Sequence, residues 1–201
     1  MKKPRYLVSH MFAADPSAHV FNGRIFIYPS HDIDAGIPEN DLGDHFDMRD
    51  YHVFSMDSVD GEVTDHGVAL DVRDVPWAGR QLWAPDVACK DGTWYLYFPM
   101  KDRNDTFRIG VAVSKKPEGP FVPRDHPIRG SYSIDPAVFD DGGNNFFIYF
   151  GGLWGGQLQR YRKNKAIECG HEPENHEPAL CAKVARLTGD MLEFAEEPRD
   201  V

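Results

Sequence analysis

The chain has 201 residues, 41% hydrophobic and 12% aromatic, with 32 acidic against 22 basic side chains and a formal net charge of −10. That length supports one domain or two with a real core, and the acidity excludes partners held through clustered Lys and Arg, namely nucleic acid and an anionic membrane surface. A neutral ligand such as a sugar is not excluded.

Met1-Lys2-Lys3 opens like a signal peptide, but Pro4, Arg5, Ser9 and His10 interrupt the stretch before an apolar run can form. No window is long and apolar enough to span a bilayer. Cys89, Cys169 and Cys181 are odd in number and lack metal-ligand spacing, so the expectation is a cytoplasmic protein with reduced thiols.

In chain order, the first hairpin is His19-Val20-Phe21, a turn at Asn22-Gly23, then Arg24-Ile25-Phe26-Ile27-Tyr28. Asn-Gly between alternating apolar runs is a strong hairpin signal. Tyr51–Ser55 and Val68–Leu70 are the next two strand candidates, separated from the hairpin by a polar stretch, Asp32 to Asp50, read as a surface loop. The second hairpin pairs Val87-Ala88-Cys89 with Trp94–Phe98 across Asp91-Gly92, and Ile109–Ser114 and Phe121-Val122 follow it. The third pairs Val138-Phe139 with Phe146–Phe150 across Asp141-Gly142-Gly143, and Val184–Leu187 and Leu192–Phe194 follow. An insert from about Lys163 to Pro178, rich in Glu, Pro and His, reads as another surface loop.

One unit therefore recurs three times, opening at Asp15-Pro16, Ala84-Pro85 and Asp135-Pro136, with a Pro-to-Gly step of 7 in each copy. Four short strands per unit without helical periodicity is the pattern of a β-propeller blade. An all-β sandwich also offers short strands at regular spacing; the in-register repeat favours the propeller. The fold class expected is all-β, with blade one at about 6–75, blade two at about 83–128 and blade three at about 133–201 of one partial catalytic domain, 1–201. Three blades leave open edges, and propellers close with about four to eight. The expectation is the front part of a longer protein, with self-association through the open strand edges.

A residue before proline is expected in extended geometry, which places Asp15 and Asp135 at the entrance of the first strand of their blades. Those strands line the central channel, so the two carboxylates are expected to face each other across its mouth. Strand alternation adds Ser17, Asp86 and Ala137 as the next layer. Paired carboxylates beside a sugar-sized cavity suit glycosidic bond cleavage, one activating water or attacking, the other protonating the leaving oxygen. His31, at the end of the second strand, is either within reach of that mouth or an exposed loop histidine. Asp32-Ile33-Asp34-Ala35-Gly36 begins like a calcium loop, but lacks the later oxygen ligands and reads as a solvated acidic loop. Ser30-His31-Asp32 gives no triad geometry, and Trp154, within Gly151–Gly156, is assigned to packing.

Ala14-Asp15-Pro16-Ser17, Trp83-Ala84-Pro85-Asp86-Val87, Ser133-Ile134-Asp135-Pro136-Ala137 and Gly119-Pro120-Phe121 resemble signature segments of glycoside hydrolase family 43. The resemblance covers essentially the whole chain. It implies a five-bladed propeller, of which about three blades are present, cleaving β-xylosidic or α-L-arabinofuranosidic bonds with inversion. By similarity Asp15 matches the general base, Asp135 the carboxylate that tunes the acid and holds the sugar, and Trp83 an aromatic of the sugar subsite; Asp86 and His31 join Trp83 as substrate-binding candidates. The implied partner is a pentose-containing oligosaccharide. No cofactor is expected, although a complete fold can carry a structural calcium ion supported by a fifth-blade His.

The resemblance also implies a general acid Glu at the start of a fourth blade. Glu168, Glu172, Glu174 and Glu177 lie in the insert, and Glu193, Glu196 and Glu197 flank an outer strand, so none matches it. The acid is expected beyond the chain end. The alternative is a truncated, inactive or sugar-binding propeller fragment, and a plain interaction scaffold is a further one. Fructan-cleaving five-bladed relatives are disfavoured, because Ile134 rather than Arg precedes Asp135.

Overall fold

A computed structural model describes residues 5–201; the Met1-Lys2-Lys3 stretch lies outside them. The described residues form an all-β structure in which three larger antiparallel sheets succeed one another along the chain, with a two-stranded hairpin and short 3-10 turns besides. No helix is long and apolar enough to cross a membrane.

The first sheet runs in order β1 (Phe12–Phe21), β2 (Arg24–Asp32), β3 (Asp50–Met56) and β4 (Thr64–Asp71). In the second, β5 (Ala78–Arg80) pairs one end of the long β7, while β6 (Asp86–Lys90), β7 (Thr93–Asp102), β8 (Phe107–Ser114) and β9 (Val122–Pro123) form the meander. The third takes β10 (Ala137–Asp140) and β11 (Phe146–Phe150), then crosses a small hairpin, β12 (Tyr161–Arg162) with β13 (Lys165–Ala166), before β14 (Lys183–Arg186) and β15 (Arg199–Asp200).

The first two hairpins turn where the sequence predicts. Asn22 and Gly23 have φ of 53° and 78°, Asp91 and Gly92 of 50° and 68°, and two consecutive positive φ values match the right-handed twist of the flanking strands. Packing then follows the period of two. In β7, Leu96, Phe98 and Met100 enter the core shared with the first sheet, beside Phe26, Tyr28 and Tyr51. Tyr97 points the other way, into the core shared with the third sheet, beside Ile109, Ile148 and Phe150. A strand buried on both faces needs the near-continuous apolar run seen at Trp94–Met100, and each such side chain contributes about 1.5–3 kcal/mol through burial.

Two expectations are corrected. Leu192–Phe194 is not the fourth strand of the third sheet; only a single bridge, Leu187 to Phe194, forms there, and the fourth strand is β15. The Thr188–Glu193 segment closes on itself, with the Thr188 N–H donating to the Glu193 carbonyl at 2.9 Å, and Phe194 stacks on Phe150 at 5.7 Å between centroids. The insert after Lys163 is not wholly irregular, since it completes the β12–β13 hairpin.

Candidate active site

The inner strands β1, β6 and β10 converge, and Asp86 links all three. Its carboxylate is buried, with one oxygen 2.6 Å from His19 Nε2 on β1 and the other accepting the Val138 N–H on β10 at 2.6 Å. Beside this junction lies an open pocket of about 540 Å³, whose wall includes Asp15, Asp32, Trp83, Asp135 and Trp154. That volume suits a small-molecule or short oligomeric ligand.

Asp15 and Asp135 are brought together here, but not on extended backbone. Their φ values are 45° and 58°, in the left-handed region, where a non-glycine residue is uncommon and Asp is among the better tolerated. The cause at Asp15 is a bulge. Ala14 faces Ser30 and Ser17 faces Tyr28, so β1 holds one more residue than β2 between those pairs. A bulge re-aims a side chain, and here it also absorbs two prolines, since Pro16 sits in the bulge and Pro29 opposite it, where the ladder is already broken. Asp135 is turned by a tight loop in which Ser133 also has positive φ, at 65°, and the Ile134 carbonyl accepts the Gly151 N–H at 2.8 Å.

Strand β2 therefore continues to Asp32, and the polar stretch read from sequence as a loop begins one residue later than expected. Asp32 joins Asp15 and Asp135 on the wall of the pocket. Its Oδ1 is buried without a hydrogen-bond partner among the described residues, and burial, then the Asp15 charge, raise its carboxyl above the ordinary range against a lowering by His31. Only the alternation of β2 past Pro29 signals this residue in sequence.

Asp135 keeps an accessible edge at the mouth. Even so, loss of water around its inner side, followed by the Asp15 charge, pushes its carboxyl from 3.8 up to about 6. The sign for stability follows from linkage. Below about pH 4 the folded and unfolded chains both hold this proton; between about 4 and 6 the unfolded chain releases it first, so the folded state loses ground, and above 6 the cost is constant. Asp135→Asn should gain stability over the parent by about 1 kcal/mol at pH 8, after allowance for solvent screening at the open edge. That gain is a Tm rise of roughly 2–4 °C that disappears below pH 4. Melting curves at the two pH values check it; an equal difference at both would rule it out.

Trp83 is fixed from several sides. Its Nε1–H donates to the Phe46 carbonyl at 2.7 Å, its carbonyl accepts the Tyr51 hydroxyl, and its ring meets Phe107 at 4.7 Å between centroids. Gly43, at φ +68°, and Gly155 both approach the indole so closely that a Cβ would stand 2.6 and 2.8 Å from its Cη2. Trp154, assigned to packing from sequence, is instead 57% exposed and lines the pocket. Its loop is held by Ser133, whose Oγ accepts the Gly152 N–H at 2.9 Å and donates to the Gly156 carbonyl at 2.8 Å.

The other two substrate-binding candidates lie off this wall. Asp86 is engaged by His19 and Val138, and lines a smaller, more open cleft of about 380 Å³ with Ser17 and Ala137, which shares Asp15 and Asp135 with the first. His31 points to Asp50, its Nδ1 2.6 Å from Oδ1. The side chains with metal-ligand character that gather in the described residues are His31, Asp50 and His52. Cys89, Cys169 and Cys181 are free.

The sequence profile of the Glycosyl hydrolases family 43 matches residues 8–176. A "Xylosidase/arabinosidase" of Bacteroides ovatus is 66% identical over 198 residues, covering 98% of this chain and 61% of the relative. "Xylosidase/arabinosidase 43A" of Humicola insolens is 58% identical, over 97% of this chain and 62% of the relative. Among solved structures, RS223-Beta-xylosidase superposes with a TM-score of 0.96 at 66% identity, over 100% of this chain and 62% of that one. CoXyl43, a β-xylosidase/α-arabinofuranosidase from a compost microbial metagenome, solved with xylotriose in a calcium-free form, gives 0.93 at 62% identity, over 97% and 60%. The chain thus spans about three-fifths of the length of these relatives. On the match to residues 8–176, the chain belongs to glycosyl hydrolases family 43.

Proposed function

We propose that the three sheets are three successive blades of a five-bladed propeller, and that the pocket cleaves β-xylosidic or α-L-arabinofuranosidic bonds of a pentose-containing oligosaccharide with inversion. The observation that carries this reading is the convergence of Asp15 and Asp135, from two repeats of one unit, on one sugar-sized pocket. The relatives named for xylosidase and arabinosidase activity support it, as does the xylotriose held by CoXyl43.

In this mechanism Asp15 takes a proton from water as the water oxygen attacks the anomeric carbon and the glycosidic C–O bond breaks. The leaving oxygen takes its proton from a general acid. Asp135 orients the sugar and sets the field in which that acid holds its proton, while Trp83 and Trp154 offer aromatic faces to the apolar face of a pyranose or furanose ring. The acid is a Glu outside these 201 residues. Glu39 is the glutamate that lines the pocket among the described residues, and it lies on the exposed rim loop. The calcium ion that the family resemblance brings has its supporting His on a fifth blade, and no step above runs through it.

The test compares hydrolysis of a natural arabino-xylo-oligosaccharide with that of the matching nitrophenyl glycoside by the full 201-residue chain. The nitrophenyl group leaves with little proton help, whereas the natural leaving group forfeits about 10²–10⁴-fold without an acid. Turnover confined to the aryl substrate is the expected result. Turnover of both, abolished by Glu39→Gln, would move the acid to Glu39. Absence of turnover and of oligosaccharide binding would overturn the proposal.

A further inference from the structure

Strand alternation turns His31 away from the face that carries Asp32 to the pocket. The β2–β3 register pairs Ile27 with Phe54. Continued four residues along each strand, it sets His31 beside Asp50 (27 + 4 and 54 − 4), and His52, two residues from Asp50, falls on the same face of β3. Each of the three side chains offers a ligand atom, and these atoms all lie within 4.8 Å of one another. The side chains are only 23%, 22% and 19% accessible, respectively for His31, Asp50 and His52. The set is therefore partly desolvated yet open to a small ion.

Its outer partner is also in place. His52 uses Nδ1 to reach Asp65 Oδ1 at 3.0 Å, which leaves Nε2 free. Asp65 is itself anchored, accepting the Gly67 N–H at 2.7 Å and standing 2.8 Å from His10 Nε2. A carboxylate behind one ring nitrogen, orienting the other toward an ion, is the arrangement that fixes metal-binding histidines. The donor set then selects the ion. Two imidazoles and one carboxylate suit zinc and its first-row neighbours, with a fourth position left to water; calcium takes six to eight oxygens and has one carboxylate here. Bonds of about 2.0–2.2 Å place ligand atoms roughly 3.4 Å apart, so His31 Nδ1 and Asp50 Oδ1, now hydrogen-bonded at 2.6 Å, need to part by less than about 1 Å.

We propose that His31, His52 and Asp50 form a binding site for a divalent ion of the zinc class, with Asp65 positioning His52, on the side of the first sheet away from the sugar pocket. It stands independently of the proposed glycosidase activity, because its test reads binding alone. The full chain is titrated with Co²⁺, followed by its visible ligand-field absorption, and with Zn²⁺ by equilibrium dialysis. The expected result is one ion per chain, lost in His52→Ala and in Asp50→Asn. Asp65→Asn should weaken binding about 10–100-fold without abolishing it, and excess Ca²⁺ should leave the Co²⁺ spectrum unchanged. Circular dichroism confirms that each variant is folded, and His31→Gln replaces any that is not. No saturable Co²⁺ binding, binding of equal affinity in the folded variants, or displacement by Ca²⁺ would each overturn the site.

Discussion

Replacing Asp15 by Asn is expected to lower kcat for glycoside hydrolysis by about 10²–10⁴-fold, the range for removal of a general base, with little change in stability. Asn is the informative choice because it tolerates the left-handed backbone at φ 45°; Ala would add backbone strain to the loss of the carboxylate. The residue is exposed at the pocket mouth, so folding does not depend on burying its side chain. A second readout separates a base from a mere wall residue. The Asp15 charge is the second cause, after burial, of the raised Asp135 carboxyl. In Asp15→Asn the Asp135 titration, followed by carbon NMR, should move down from about 6 yet stay above 3.8, because burial remains. A kcat loss under tenfold, or an Asp135 titration that does not move, would remove Asp15 from the role.

How far these features are legible in the chain depends on the range of the interactions that set them. The Asn22-Gly23 and Asp91-Gly92 turns are local chemistry, and the hairpins form where the dipeptides stand. The repeat of Asp-Pro ahead of matching hairpins likewise marks the two carboxylates that share the pocket. Their backbone geometry is not legible, because the rule for residues before proline is local, whereas the bulge depends on the pairing of Ala14 with Ser30 across the hairpin. Asp32 is hidden for the same reason, since Pro29 argues against a strand until the break opposite it is known. Strand β5 has no strand character of its own. Gly79 is there because a Cβ would stand 2.3 Å from the Asp102 carbonyl oxygen, a contact 23 residues away in sequence (102 − 79). Trp154 is presented to the pocket by the hydrogen bonds that Gly152 and Gly156 make with Ser133, which no pattern within Gly151–Gly156 announces.

Asp86→Ala is expected to cost about 3 kcal/mol of stability, since a buried carboxylate with two hydrogen-bond partners is removed, and to lower Tm by roughly 6–12 °C. The cost lies in what the substitution leaves behind. The carboxylate takes the Val138 N–H at 2.6 Å and meets His19 Nε2 at 2.6 Å, so its removal orphans a backbone donor and a histidine at the point where three sheets meet. Each orphan costs about 1–3 kcal/mol. His19→Ala should cost less, because His19 is only half-buried and the Val138 contact survives. The coupling between the two, from a double-mutant cycle, should then be at least about 1 kcal/mol. Urea denaturation with unchanged slope and a lowered midpoint is the measurement. A loss below about 0.5 kcal/mol would mean that the junction is held by the apolar cores on either side of β7 alone, and that Asp86 is free to serve the smaller cleft between the inner strands.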